Sequence, residues 1–295
     1  MAAQTSAQTH HQAIVRRNKF RRYFTQTMAY GWLLLVSITT VFPFFWMIST
    51  SLKPKPEIYY FRLLPVEPTI AHYIDVLTRW QFGTWFFNST MATLVTTFST
   101  LFFCSLCGYA LAKFNFPGRT VFFVIILATI MVPGEMLLIP WYVGAFNLKV
   151  TNTLTGVVFP GLMGAFGVFV MRQAFLNLPA DLLDAARVDG MSELGIFFKI
   201  ALPLTSGALA ALGILTVLGT WNDYFWPLII LQSLDRYTIQ LGMVHAAATD
   251  AAHDLQIDWT VIMSTTTIAA MPMLILIVLL QKYFVKGIAM TGLKS

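Results

Sequence analysis

Charge is what this sequence lacks most. Aspartate, glutamate, lysine and arginine together make up 11% of its 295 residues, against about 25% in soluble domains, which excludes an ordinary water-soluble globule. Cysteine is nearly absent, with two in the whole chain, and Cys104-Ser-Leu-Cys107 lies in an apolar run with no neighbouring base. That pair reads as small packing residues, not as a redox site or a disulfide framework. No G-x-x-x-x-G-K-[ST] loop occurs, so the chain has no usual cradle for ATP phosphates. Neither a G-x-S-x-G nucleophile elbow nor H-E-x-x-H is present, and no clustered catalytic set replaces them. The expectation is a non-enzyme that binds no metal and no cofactor.

What fills the space is apolar: 57% of the residues are hydrophobic. Six uncharged runs stand out, Tyr23–Leu52, Trp80–Ala112, Thr120–Gly134, Val150–Met171, Ile200–Asn222 and Trp259–Gln281. Five reach the roughly 20 residues that cross a bilayer as helix. The third reaches that length if it continues past Glu135. The predicted fold class is an all-α polytopic membrane protein. Its six helices are expected at about 29–51, 86–112, 120–143, 151–172, 203–231 and 259–281, the first bent near Pro43. The first run is too long for a signal-peptide core and ends in no cleavage site.

The net charge of +6 raises the question of nucleic acid. Placing both termini in the cytoplasm puts thirteen of the nineteen basic residues inside and six outside. That asymmetry is the positive-inside signature, so the basic excess sets topology and does not bind nucleic acid. Residues 1–28 read as a polar, basic and mobile cytoplasmic tail that meets anionic lipid through Arg16, Arg17, Lys19, Arg21 and Arg22. Residues 286–295 form a second cytoplasmic tail. Between them, 52–84 is an outer segment broken by Pro54, Pro56, Pro65 and Pro68 and rich in interfacial aromatics. The outer stretch 232–258 carries Asp235, Asp250, Asp254, Asp258, His245 and His253. No tight ligand spacing joins them, so this segment and His10-His11 read as solvated chain, with a short helix through 241–248.

One polar-faced segment interrupts the apolar pattern, a hairpin at 178–203. Pro179 suits a first helical turn. Leu182, Ala185 and Ala186 make a narrow apolar stripe flanked by Asp181, Asp184 and Arg187. Gly190 is placed to close that helix in the left-handed conformation, and Ser192 to cap a second helix through Leu194, Ile196, Phe197 and Ile200 to Pro203.

Asp184-Ala185-Ala186, three residues, Gly190, nine residues, then Ile200-x-Leu202-Pro203 resembles the "EAA" signature of permease subunits in binding-protein-dependent ABC importers. Asp184 stands where the family has Glu. Trp221-Asn-Asp-Tyr-Phe-Trp-Pro-Leu228 resembles the fifth-helix sequence of the carbohydrate branch, and Asp258–Ser295 is similar to the last helix and tail of maltose-type permeases. The resemblance implies a six-helix inner-membrane subunit of a prokaryotic sugar importer, with Asp184, Ala185, Ala186, Gly190, Ile200, Leu202 and Pro203 coupling it to ATPase subunits. It implies as partners a second related permease, two ATP-binding cassette subunits that hold the ATP and Mg, and an extracytoplasmic sugar-binding protein docking on the outer face.

Two carboxylates fall within the predicted spans. Glu135 is expected in the outer half of the third helix, beside Pro133, Gly134 and Pro140, and Asp223 near the outer end of the fifth. Such groups are costly in lipid unless paired or facing water. Together with Trp221, Asn222 and Tyr224 they suit a polyol pathway, where amides and carboxylates meet aromatic faces. The alternative is a secondary transporter with Glu135 carrying a proton, although no inverted repeat relates the halves.

Overall fold

The computed structural model describes the backbone of residues 2–254 and 258–292, and the side chains of 23–249 and 258–279. Among these residues every regular element is helical. Two compact units divide the chain after Ile70.

The first unit is dominated by α1, Ala2–Ser51, which runs unbroken through Pro43. Over the stretch expected to be a polar tail, 1–28, the backbone is helical from Ala2. No glycine or further proline precedes Gly31, so nothing in the sequence stops the apolar span from propagating helix into its Ala- and Gln-rich flank. Within α1, Tyr23–Ser51 is long and apolar enough to cross a membrane. Beyond it the chain folds back on the helix end. The Lys53 ammonium donates to the Arg62 carbonyl at 2.6 Å and lies 4.5 Å over the Trp46 ring, which itself stacks on Phe61. Glu57 accepts from the Val66 N–H. Tyr59, Tyr60 and Phe61 stay exposed, as an interfacial aromatic loop requires.

The second unit begins with α2, Ala71–Arg79, a short helix inside the stretch expected to be loop. Next comes α3, Phe82–Lys113, an uninterrupted span of 32 residues. The following three spans are each broken. Arg119–Ile130 (α4) meets Gly134–Asn147, which contains α5, Leu138–Asn147, at 100°; Leu154–Gly161, opening with α6, Leu154–Val158, meets Ala165–Leu176 (α7) at 49°. The hairpin helices α8, Ala180–Val188, and α9, Glu193–Ile196, lead through α10, Leu202–Leu204, into α11, Ser206–Trp221. There the segments Glu193–Leu204 and Ser206–Trp221 cross at 79°. A short α12, Phe225–Ile230, and α13, Ile239–Asp254, precede α14, Trp259–Gly292. Counting each bent pair as one span gives six.

Two boundaries differ from expectation. The fifth helix stops at Trp221 and does not run to 231. Pro227 lacks an N–H and its ring would clash with the carbonyl of residue 223. Asn222 turns its amide back to the Leu218 carbonyl at 2.9 Å, and Asp223 caps the Trp226 N–H, so local side-chain bonds replace helix here. At the other end α14 carries helical backbone to Gly292, across most of the expected tail.

Packing centres on α3 and α7, which approach through small residues. A Cβ built on Gly108 would stand 2.8 Å from the Arg172 nitrogen, and one on Gly167 2.7 Å from the Cys104 sulfur. Cys104 itself lies against the Gly164 carbonyl at 3.4 Å, the packing role expected of it. With no water to drive helices together in lipid, such close approach supplies dispersion contact instead. Arg172, inside this packing, donates to the Leu111 carbonyl at 3.2 Å and stacks over Phe123.

Candidate functional site

The hairpin forms as two capped helices. Pro179 is extended at the N-cap of α8, one place earlier than expected. At the other end the Met191 N–H reaches the Ala186 carbonyl and the Gly190 N–H the Arg187 carbonyl, both at 3.0 Å. That bond pair, with Gly190 at φ +79, is the Schellman closure the sequence forecast. The Ser192 hydroxyl accepts from the Gly195 N–H at 3.2 Å, capping α9 as expected. The next turn widens into a π-helix, Phe197–Ala201. Pro203, two residues on, has no N–H to give, and the wider turn relieves its ring of the preceding carbonyls. Ile200 and Leu202 are half-buried in this bend and Pro203 is exposed.

The stripe read from sequence, Leu182, Ala185 and Ala186, divides between the two sides of the helix, with Ala186 alone turned inward. Leu183 and Ala186 are buried, while Leu182 is 49% and Val188 88% exposed, with Ala185 between them also exposed. Leu182 with Ala185 and Leu183 with Ala186 both recur at spacing three, so periodicity does not choose between them. The choice is made by packing: Leu183 and Ala186 join Ile196, Phe197, Tyr109 and Phe175 in one cluster against the end of α3 and α7. Leu182, Ala185 and Val188 are left as an outward apolar row, with Leu194 also 64% exposed.

Polar groups fasten the two arms. Arg187 Nε donates to Glu193 Oε1 at 2.7 Å across the Gly190 turn, and its Nη1 reaches Asp184. The Tyr109 hydroxyl on α3 donates to Glu193 Oε2 at 3.3 Å. Lys113 Nζ donates to the Leu178 carbonyl, just before the hairpin, at 2.9 Å. Hydrogen bonds to Glu193 first and Asp184 second hold the Arg187 guanidinium above its ordinary pKa, so it stays charged. Tyr109, Lys113 and Glu193 were not singled out from sequence, since their meeting depends on how α3 packs.

The five residues proposed for a solute path do not come together. Trp221 is buried and donates through Nε1 to the Ala269 carbonyl at 3.1 Å, a helix-packing role. Asn222 is exposed and caps its own helix. Tyr224 is half-buried and packs against Phe225. Glu135 sits exposed in a 3-10 turn, Gly134–Leu137, at the sharp bend. Of the five, Asp223 alone lines a cavity of about 380 Å³ between α3, the α6–α7 break, α11 and α12. Thr216 and Thr220 line it from α11, Thr96 and Thr100 from α3, Trp141 from α5 and Trp226 from α12. Thr216 and Thr220 were not singled out from sequence; their four-residue spacing in an otherwise apolar helix is the signal that could have marked a polar face. The side chains of His10, His11, Asp250, His253 and Asp254 lie outside those described.

Residues 105–290 match the family described as binding-protein-dependent transport system inner membrane component. The chain belongs to that family. It is 36% identical over 267 residues to the arabinooligosaccharides transport system permease of Bacillus subtilis, covering 89% of this chain and 93% of that protein. To the lactose transport system permease of Rhizobium radiobacter it is 31% identical, covering 90% and 96%. An sn-glycerol-3-phosphate transport system permease from Pectobacterium atrosepticum is 33% identical over 207 residues, 70% of this chain and 73% of that one. In three dimensions it matches a chain from the crystal structure of a bacterial ABC transporter involved in import of the acidic polysaccharide alginate. The TM-score there is 0.79 at 27% identity, over 89% of this chain and 97% of that one. The relatives are transport permeases, and as a family member this chain is a membrane-embedded transport component.

Proposed function

We propose that this chain is one of two permease subunits of an ATP-driven importer for a sugar or related polyol handed over by an extracytoplasmic binding protein. It works in a prokaryotic cytoplasmic membrane with both termini inside, the orientation favoured by its basic residues. Two cassette subunits hydrolyse the ATP. The observation that carries the reading is the hairpin: a doubly capped knob whose outward apolar row, Leu182, Ala185 and Val188, is exposed among the described residues. A groove on a cassette subunit suits that row, with Asp184 beside it for a polar contact. ATP-driven closure of the cassettes would move the knob and, through Tyr109 and Lys113, the end of α3. Rocking the broken spans then exposes the cavity to one side and the other in turn.

Affinity purification in mild detergent, followed by mass spectrometry, tests the assembly. A second permease and a P-loop ATPase recovered with this chain are the expected result. A stable particle of this chain alone would rule out the subunit reading.

The brace across the hairpin makes its own prediction. Glu193→Gln removes the ion pair with Arg187 but keeps an oxygen facing Tyr109. Because both partners are more than a third exposed, stability should change by no more than about 1 kcal/mol. Uptake per ATP hydrolysed should fall several-fold while the complex stays assembled, measured side by side in proteoliposomes. A parallel fall in ATP hydrolysis and uptake would mean that the pair is merely structural.

A further inference from the structure

The solute path in this subunit has a chemical character of its own, and the assignment rests on the permease reading above. The cavity between α3, the α6–α7 break and α11 is not a packing flaw in an apolar bundle. Thr216, Thr220 and Asp223 present a polar row along one side. Trp141 and Trp226 form an aromatic corner, their rings edge to face at 6.0 Å, and the Trp226 backbone N–H donates to the Asp223 carboxylate at 3.4 Å. Trp226 is held there by its Nε1 bond to the Gly156 carbonyl at 3.0 Å, and Thr100 by its bond to the Gly161 carbonyl at 2.7 Å. The walls are therefore set before any ligand arrives. At about 380 Å³ the space falls within the range of small-ligand sites.

Among the residues lining it, Asp223 is the one charged group, and no lysine, arginine or histidine opposes it. The α7 first turn also faces the cavity through Gly164, but a helix N-terminus carries only about half a unit of positive charge against the full negative unit of a carboxylate. We propose that this cavity is a neutral-saccharide site, in which Asp223, Thr216 and Thr220 bond sugar hydroxyls against Trp141 and Trp226, and which rejects anionic sugars. The Asp223 carboxylate accepts from sugar hydroxyls, the Thr216 hydroxyl accepts as well because it donates to the Leu212 carbonyl at 2.9 Å, and the Thr220 hydroxyl can do either, while the apolar ring faces lie on indole. A phosphate or uronate brought within about 4 Å of Asp223 meets like-charge repulsion that disfavours it on the order of tenfold to a hundredfold. The chain thus sides with neutral-sugar importers, although relatives act on anionic cargo as well.

The test uses the complex that co-purifies with this chain, in proteoliposomes, and follows ATP-dependent accumulation of lactose, arabinotriose, sn-glycerol 3-phosphate and an alginate-derived oligouronate. Each is assayed with its cognate binding protein. Neutral sugars should accumulate and the two anions should not. Thr220→Val, which removes one hydroxyl and keeps the shape, should raise KM for the neutral sugar about tenfold. Asp223→Asn, which keeps an oxygen for the Trp226 N–H, should narrow the gap between neutral and anionic cargo. Accumulation of the anions by the wild type, or unchanged KM in both variants, overturns the assignment. So does a complex that hydrolyses ATP yet takes up neither neutral sugar, and this leaves the permease reading in place. Absence of any ATPase in the purified particle instead removes the permease reading, and the site assignment with it.

Discussion

Gly190→Val should leave the chain inserted in the membrane and cut uptake by at least about tenfold, with ATP hydrolysis released from transport. The cause is conformational. Gly190 closes α8 at φ +79, where a side chain would meet open space, with nothing within 4 Å of a Cβ. Crowding therefore plays no part, and the whole cost is that of placing a β-branched residue in the left-handed region. That cost is about 1–2 kcal/mol for an ordinary residue and higher for valine. The turn would relax by opening, which breaks the Met191 and Gly190 bonds to α8 and carries Glu193 away from Arg187. Gly190→Asn separates this account from a simple size effect, because asparagine tolerates the left-handed region and should keep uptake within about twofold of wild type. Normal transport by Gly190→Val at normal membrane levels would refute it.

The second large effect is expected at Gly108. There the objection to a side chain is space, since a Cβ would fall 2.8 Å from the Arg172 backbone nitrogen and 2.9 Å from the Met171 Cβ. Backbone cannot swing aside as a side-chain tip can. Gly108→Leu must push α3 and α7 apart, taking with it the Cys104–Gly167 contact and the bond from Arg172 to Leu111. Overpacking costs about 1–3 kcal/mol at an adaptable site, and this one adapts poorly. The expected result is loss of monodisperse protein after detergent extraction, with degradation in the cell. Gly207→Ala is the control. Its Cβ meets nothing within 4 Å, and alanine favours helix by about 1 kcal/mol over glycine, so stability should hold or rise. Monodisperse, transport-competent Gly108→Leu protein would show that the two helices are free to separate.

The two substitutions differ in how far each was legible. Gly190 was readable because the need for a left-handed residue is local: helix pattern, then Gly, then a capping Ser. Gly108 was not, because its need is set by a helix more than fifty residues away. The same contrast runs through the site. Asp184 to Pro203 could be placed on a hairpin by spacing alone, but the face it turns outward could not. Of the stripe read from sequence, Leu182 and Ala185 are exposed and Ala186 is buried. Of the solute-path residues, Asp223 was found by its cost in lipid, whereas Trp221 was chosen for its chemistry and proves to be bonded into α14. Tyr109 and Glu193 carried no local sign of each other.

The sequence by itself determined the membrane class, the number of spans and the capped hairpin, because each depends on run length or on neighbours within a few residues. Only the tertiary structure decided where the spans break, which hairpin face is free, and that threonines, one aspartate and two tryptophans share a cavity. Those outcomes turn on contacts between distant helices, and one apolar stripe is as willing as the next until a partner helix fills it.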